Sequence, residues 1–195
     1  LKSFGAKLHL ISKKDGGFVK CVKLAKEYAR KKDVLLINQF SNKLNIDTHY
    51  NTTAKEILNK LNNIGGFVSG VGSGGTLMGV TNRLKEVFPN LKVALVEPKN
   101  SEIINENKVN SHKIEGIADD FIPDNFKKEN ITHYYSISDD DAITMSKMLA
   151  KELGLGVGIS SGANFLGSVL LNEDVNNVVT IFSDDNKKYL SILKD

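Results

Sequence analysis

A single cysteine, Cys21, occurs in 195 residues, so no disulfide can form within the chain. That fits a reducing, cytoplasmic setting. In the run Val19-Lys-Cys-Val-Lys-Leu-Ala25, Cys21 falls on the apolar stripe of a helix and reads as a small buried hydrophobe, not a nucleophile. No apolar run approaches the ~20 residues that a membrane-spanning helix needs, and no signal-peptide pattern is visible. Basic residues exceed acidic ones by only three and are scattered. The pairs Lys13-Lys14, Lys31-Lys32 and Lys187-Lys188 are too short to make a nucleic-acid footprint. The histidines His49, His112 and His133 lack the spacing of metal ligands and read as surface or polar-core residues, and His9 reads as a structural strand residue. No internal repeat or low-complexity segment is present.

What the chain does have is 41% apolar residues, enough for a core. Strand-like and helix-like runs alternate, which predicts an α/β fold with a mostly parallel sheet covered on both faces. Strands are expected at 7–11, 34–39, 66–70, 91–97, 132–137 and 178–182. Helices are expected at 18–31, 52–61, 76–88, near 101–107, at 139–153 and at 161–171. Ser138 is positioned to cap the 139–153 helix, which carries Asp139, Asp140 and Asp141 in its first turn, where the helix dipole favours acids.

The most informative stretch is Phe67-Val-Ser-Gly-Val-Gly-Ser-Gly-Gly-Thr-Leu-Met-Gly79. A short strand runs into Gly70, Gly72, Gly74 and Gly75, and a helix follows. Glycines let main-chain amides approach and converge on an anion, and the helix start adds free N–H groups and a positive dipole end. This is a phosphate cradle. Gly70-x-Gly72-x-x-Gly75 satisfies the dinucleotide pattern, and Glu97 closes the next strand where a ribose-binding carboxylate would stand.

Other segments decide between the two phosphates. Asn38-Gln-Phe-Ser-Asn42 with His49 and Thr52-Thr-x-x-Glu56-Ile57, the Gly70–Gly79 loop, Glu115-Gly-Ile-Ala-Asp-Asp-Phe-Ile-Pro123, Gly158-Ile-Ser-Ser-Gly-Ala163 and Tyr189-Leu-Ser191 resemble, in order and spacing, motifs of one family. That family comprises the cysteine synthases and cystathionine β-synthases, fold type II of the enzymes that use pyridoxal 5′-phosphate (PLP). The resemblance implies a three-layer α/β/α fold. The end of a smaller mobile domain is expected at 1–41 and most of a larger PLP-binding domain at 42–195. It also implies a homodimer. The lysine that holds PLP covalently lies in an N-terminal motif of that family with no counterpart here, nor has its substrate-binding T-S-G-N-T loop. The chain is therefore expected to be the C-terminal two-thirds of an enzyme, and Lys7, Lys13 and Lys20 are not assigned the missing role.

Carried over residue by residue, the resemblance assigns the PLP phosphate to Gly72, Ser73, Gly74, Gly75 and Thr76, with Ser73 standing where threonine is usual. Ser160 matches the partner of the pyridine nitrogen. A neutral hydroxyl leaves that nitrogen largely unprotonated, which suits β-elimination or β-replacement through an α-aminoacrylate over transamination. Gln39 matches a residue that holds the substrate α-carboxylate. Asp119 departs from the family's small residue at a position facing the substrate, where a carboxylate disfavours hydrosulfide and can act as general base toward water. The expected substrates are 3-substituted L-alanines (L-cysteine, O-acetyl-L-serine or L-serine) with sulfide or water as co-substrate. Cysteine consumption would release hydrogen sulfide and leave serine. A serine/threonine dehydratase-like lyase on the same fold, or a non-catalytic fragment binding phosphate ligands or proteins, are the alternatives. Ser183-Asp184-Asp185 also departs from the family's usual proline-serine-serine.

Overall fold

Alternation along short apolar strands gives this chain two cores, one on each side of a sheet. The computed structural model describes residues 1–193. Its sheet is wholly parallel, with strands β1 (Gly66–Gly70), β2 (Lys92–Pro98), β3 (His133–Ile137) and β4 (Val178–Thr180) in the order β3-β2-β1-β4. The helices are α1 (Gly17–Tyr28), α2 (Lys43–Asn51), α3 (Thr53–Leu58), α4 (Gly75–Val87), α5 (Ile103–Glu106), α6 (Asp139–Leu153), α7 (Ile159–Leu171) and α8 (Leu190–Leu193). Successive strand residues point to opposite faces. Phe67, Val93 and Leu95 therefore pack on Leu77, Met78, Val80 and Leu84 of α4. Val68, Ala94 and Val96 pack on Ala142 of α6 and on Ile159, Ala163 and Leu171 of α7. Each fully buried Leu, Val or Ile in these layers contributes roughly 1.5–3 kcal/mol. The expected α/β class and parallel sheet are found.

Two glycines settle how α2 meets α4. A Cβ on Gly79 would run into the Ile46 carbonyl oxygen, and one on Gly75 into the side-chain amide of Asn45. Without those carbons α2 lies directly on α4. The sequence reading has no helix at 43–51. Its start is marked by Asn42, whose Oδ1 accepts from Leu44 N at 3.1 Å, but its apolar face is thin because Leu44 is exposed. The expected cap of α6 is present, Ser138 Oγ accepting from Asp141 N at 3.1 Å, and the helix stops at Gly154 with φ +69.

The described residues divide into two compact units between Asn38 and Gln39. The first contains α1 and two short 3-10 turns, and none of its residues is buried. The strands expected at 7–11 and 34–39 do not form. Both segments lack a ladder partner among the described residues, with Leu10 84% and Leu35 83% exposed, and apolar alternation alone cannot make a strand. No helix among the described residues is long and apolar enough to cross a membrane.

Glu97, at the end of β2, is 4% exposed. Its two carboxylate oxygens accept from Ile104 N at 2.8 Å and Asn105 N at 3.0 Å, the free amides at the start of α5. It is thus a cap delivered from a strand, not a ribose ligand. Burial raises its pKa above the ordinary 4.5, against the opposing pull of those two N–H donors. The folded chain keeps this proton to higher pH than the unfolded chain. The associated stability is complete below about 4.5 and lost as pH rises through the folded value. Glu97→Gln should flatten that slope in urea melts taken between acid and neutral pH. Glu97→Ala should cost about 1–3 kcal/mol by orphaning two amides; an unchanged urea midpoint would show that the carboxylate does not hold α5.

Candidate active site

β1 and β4 pair only from Gly66↔Val178 to Val68↔Thr180. Beyond that point one side chain substitutes for the ladder. Asn164 of α7, 2% exposed, accepts from Gly70 N at 2.8 Å through Oδ1 and donates from Nδ2 to Ile181 O at 2.9 Å. The strand order reverses at this gap, and in open parallel sheets such a reversal leaves a crevice at the carboxyl ends of the strands. Here it holds a polar cavity of about 150 Å³. Ser69 and Gly70 line it from the end of β1, Gly72, Ser73 and Gly74 from the following loop, Thr76 from the start of α4, Gly116 and Ile117 from one side, Asn164 from α7 and Ser183 after β4.

The glycine-rich loop is built for close approach. A Cβ on Gly72 would strike the Gly116 carbonyl oxygen, and Gly74 has φ +83, where other residues are strained. The N–H groups of Gly72, Ser73 and Gly74 have no acceptor among the described residues. Ser73 Oγ accepts from Asn45 Nδ2 at 2.8 Å, which leaves its own proton for a ligand. Thr76 Oγ1 lies 3.1 Å from His49 Nε2, while His49 Nδ1 meets Thr53 Oγ1 at 3.0 Å. Burial lowers the His49 pKa, so its ring is neutral near pH 7. His49 is therefore a polar-core residue that touches the loop. Gly75 does not line the cavity; its bare Cα makes room for Asn45.

Ser160 sits in the first turn of α7, 5% exposed, with no hydrogen bond from its hydroxyl among the described residues. It lies one helical turn before Asn164, on the same face of α7, but is not itself among the cavity's lining residues. The neighbouring Ser161 Oγ is buried without a partner. The segment after β4 is held against this helix start. Gly158 N donates to Asp184 O at 3.0 Å, and Tyr189 OH donates to Asp184 Oδ2 at 2.9 Å. Burial, then the Asp184 carboxylate, pushes the Tyr189 pKa up.

Asp119 is half-buried and is not among the cavity's lining residues. It follows Ala118, whose N–H donates to Val71 O at 2.9 Å and whose φ of +53 is unusual for a residue with a side chain. Burial raises the Asp119 pKa above 3.8, the charge of Asp120 raises it further, and His112 opposes both. Gln39 is exposed, and its carbonyl is bonded by Asn45 and Asn125, which also bond Ser73. Four of the expected residues, Gly72, Ser73, Gly74 and Thr76, thus share one cavity. Asn164, Asn45 and Asn125 are missing from the sequence reading. Asn164 was findable as the residue one helical turn beyond Ser160; the other two lie in runs with no local signal.

A site of this size is below the ~300 Å³ typical of drug-sized pockets, so it suits a phosphate group with the edge of a ring and not a whole dinucleotide. Unpaired amides, two hydroxyls and the N-terminus of α4 fit a phosphate monoester dianion. The Ser160 hydroxyl, unpaired among the described residues and one helical turn before Asn164, is of the neutral type that a ring nitrogen can take as its partner. The residues present therefore fit PLP.

Comparison with known proteins agrees with this geometry. A hydrogen sulfide-producing enzyme from Fusobacterium nucleatum superimposes with a TM-score of 0.93 at 48% identity, over 98% of this chain and 60% of that one. A mutant of this enzyme carrying asparagine for one aspartate gives the same TM-score and was captured with an α-aminoacrylate intermediate. An O-acetylserine dependent cystathionine beta-synthase from Helicobacter pylori matches at 37% identity, TM-score 0.90, over 97% of this chain and 63% of that one. Cysteine synthase B of Campylobacter jejuni is 41% identical over 159 residues, 80% of this chain and 53% of the relative. The chain spans between half and two-thirds of the length of these relatives. The sequence profile described as pyridoxal-phosphate dependent enzyme matches residues 1–184, and with that match the chain belongs to this family, on its type II fold.

Proposed function

We propose that this chain carries the cofactor-binding part of an enzyme for β-replacement and β-elimination on 3-substituted L-alanines, acting on L-cysteine with release of hydrogen sulfide. The observation that carries the proposal is the crevice between β1 and β4, with orphan amides at Gly72–Gly74 on one side and Asn164 of α7 on the other; Ser160 stands one helical turn before Asn164. Similarity to cysteine synthases and to a hydrogen sulfide-producing enzyme supports the substrate class. Residues up to about 41 are read as the end of a smaller domain and the rest as the PLP domain, in a cytoplasmic homodimer.

When bound, PLP supplies an electron sink for the bond changes at Cα and Cβ. The chain's residues do the remainder. Amides of Gly72, Ser73 and Gly74, with the Ser73 and Thr76 hydroxyls, hold the phosphate. Ser160 donates a hydrogen bond to the ring nitrogen without giving it a full proton, which keeps charge from collecting on the ring. Gln39 holds the substrate α-carboxylate. Asp119 takes a proton from water as the water oxygen bonds to Cβ, the carbon that has lost HS⁻. The net change is L-cysteine plus water to L-serine plus hydrogen sulfide. A carboxylate whose pKa is raised by burial and by Asp120 is a better matched base near neutrality than an ordinary aspartate. In a hydrogen sulfide-producing relative, a mutant with asparagine for one aspartate was captured with an α-aminoacrylate intermediate, which supports a carboxylate taking part in this class of reaction.

Three outcomes test the reading. Gly72→Ala places a carbon against the Gly116 carbonyl and should weaken PLP binding, read by equilibrium titration, at least ~10-fold; undiminished affinity removes the loop from the site. Ser160→Asp should hold the ring nitrogen protonated and increase transamination, while Ser160→Ala should not; identical product ratios in the parent and both variants exclude Ser160. Asp119→Asn should slow serine formation from L-cysteine by roughly 10²–10⁴-fold and leave cysteine formation from O-acetyl-L-serine and sulfide in place. Serine formation should fall on the acid side as Asp119 gains its proton, at a pH above 3.8. His112→Asn, removing the opposing influence, should move that limb upward. Serine made at the parental rate by Asp119→Asn overturns the assignment.

A further inference from the structure

Two side-chain amides converge on one carbonyl. Asn45 Nδ2 donates to Gln39 O at 2.9 Å and to Ser73 Oγ at 2.8 Å. Asn125 Nδ2 donates to the same Gln39 O at 2.8 Å and to Ser73 O at 3.2 Å. The Asn125 N–H adds a bond to Phe40 O at 3.0 Å. Both amides sit in fitted seats. The Asn45 side chain occupies the space a Cβ on Gly75 would need, and Asn125 Cβ lies 3.3 Å from where a Cβ on Gly74 would stand. Asn125 is 4% exposed. Gln39 opens the larger unit, and the residue before it, Asn38, has φ +50. Each asparagine thus ties the same two points together, the phosphate loop at Ser73 and the chain at Gln39. Packing α2 on α4 needs neither bond, because Gly75 and Gly79 already provide that contact.

We infer that Asn45 and Asn125 are positioning residues that couple the loop to Gln39, so that an anion in the loop and the set of residues 39–42 stabilise one another. The inference rests on the proposed function for the anion, the phosphate of PLP, and for the role of Gln39. Ser73 transmits the effect. Its hydroxyl accepts from Asn45 and donates to the anion, and a donor chain ending on a charge strengthens each of its bonds. The stronger bond fixes the Asn45 amide, which fixes the Gln39 main-chain carbonyl and so the backbone from which its side chain departs. Linkage makes the coupling reciprocal, so an ordered Gln39 also favours the occupied loop.

The test is hydrogen–deuterium exchange of the holoenzyme and its cofactor-free form, for the parent, Asn45→Ala, and Asn45→Ala with Asn125→Ala. In the parent, PLP should slow exchange in residues 70–76 and also in 39–42, the latter by roughly tenfold, the scale of stiffening two hydrogen bonds. In the double variant the slowing at 39–42 should fall below about twofold while that at 70–76 persists. Asn45→Ala, at a half-buried position, should give an intermediate value and decides the matter if the double variant does not fold. Inorganic phosphate at saturation should reproduce the parent's response. Persistent slowing at 39–42 in the variants, or none in the parent while 70–76 responds, overturns the coupling. A parent whose 70–76 segment ignores PLP overturns the phosphate site itself, and the coupling with it.

Discussion

The site depends on the parting of two parallel strands and on the amide that bridges them. β1 and β4 stop pairing after Val68↔Thr180, and Asn164 then satisfies Gly70 N and Ile181 O from the side. A continued ladder would close the crevice. An apolar side chain at 164 would leave two buried main-chain groups unpaired, at about 1–3 kcal/mol each. The two helices that border the gap begin at this edge of the sheet, so free N–H groups and two positive dipole ends collect where the strands separate. The glycines keep the main-chain amides open to close approach: Gly72 against the Gly116 carbonyl and Gly74 at φ +83 admit no other residue without strain.

Around that gap the polar groups are neutral or held. Burial lowers the His49 pKa, Ser160 offers a neutral hydroxyl in the first turn of α7, and Oδ2 of Asp184 accepts from Tyr189. Such a site suits the dianion of a phosphate, offering it dipoles, and the proposed role of Ser160 would leave a ring lightly charged, the condition that favours departure of a group from Cβ. Asp119 stands apart from the cavity lining, on a loop tied to Val71 through an Ala118 in the left-handed region.

Much of this was legible in the sequence because the decisive signals are local. Short apolar runs at 66–70 and 91–97, the Ser138 cap and the glycine spacing each state their own conformation, and the elements they predict are present. The segments at 7–11 and 34–39 failed for the opposite reason, since a strand is a property of a pair and neither has a partner among the described residues. Glu97 shows a second limit. Its position matched a ribose ligand, yet both oxygens are spent on the amides of α5, a tertiary fact that spacing cannot carry. Asn45 and Asn125 are 80 residues apart in the numbering and meet on one carbonyl; nothing local in either run announces it.

The central claim is that main-chain amides at the β1/β4 crevice bind the phosphate of PLP. Amide ¹H–¹⁵N spectra of the labelled chain, titrated with PLP and separately with pyridoxal, which lacks the phosphate, test it directly. The account predicts saturable shifts of the amides of residues 72–76 with PLP and none there with pyridoxal. Equal shifts with both compounds, or PLP binding that leaves those amides unmoved, would contradict it.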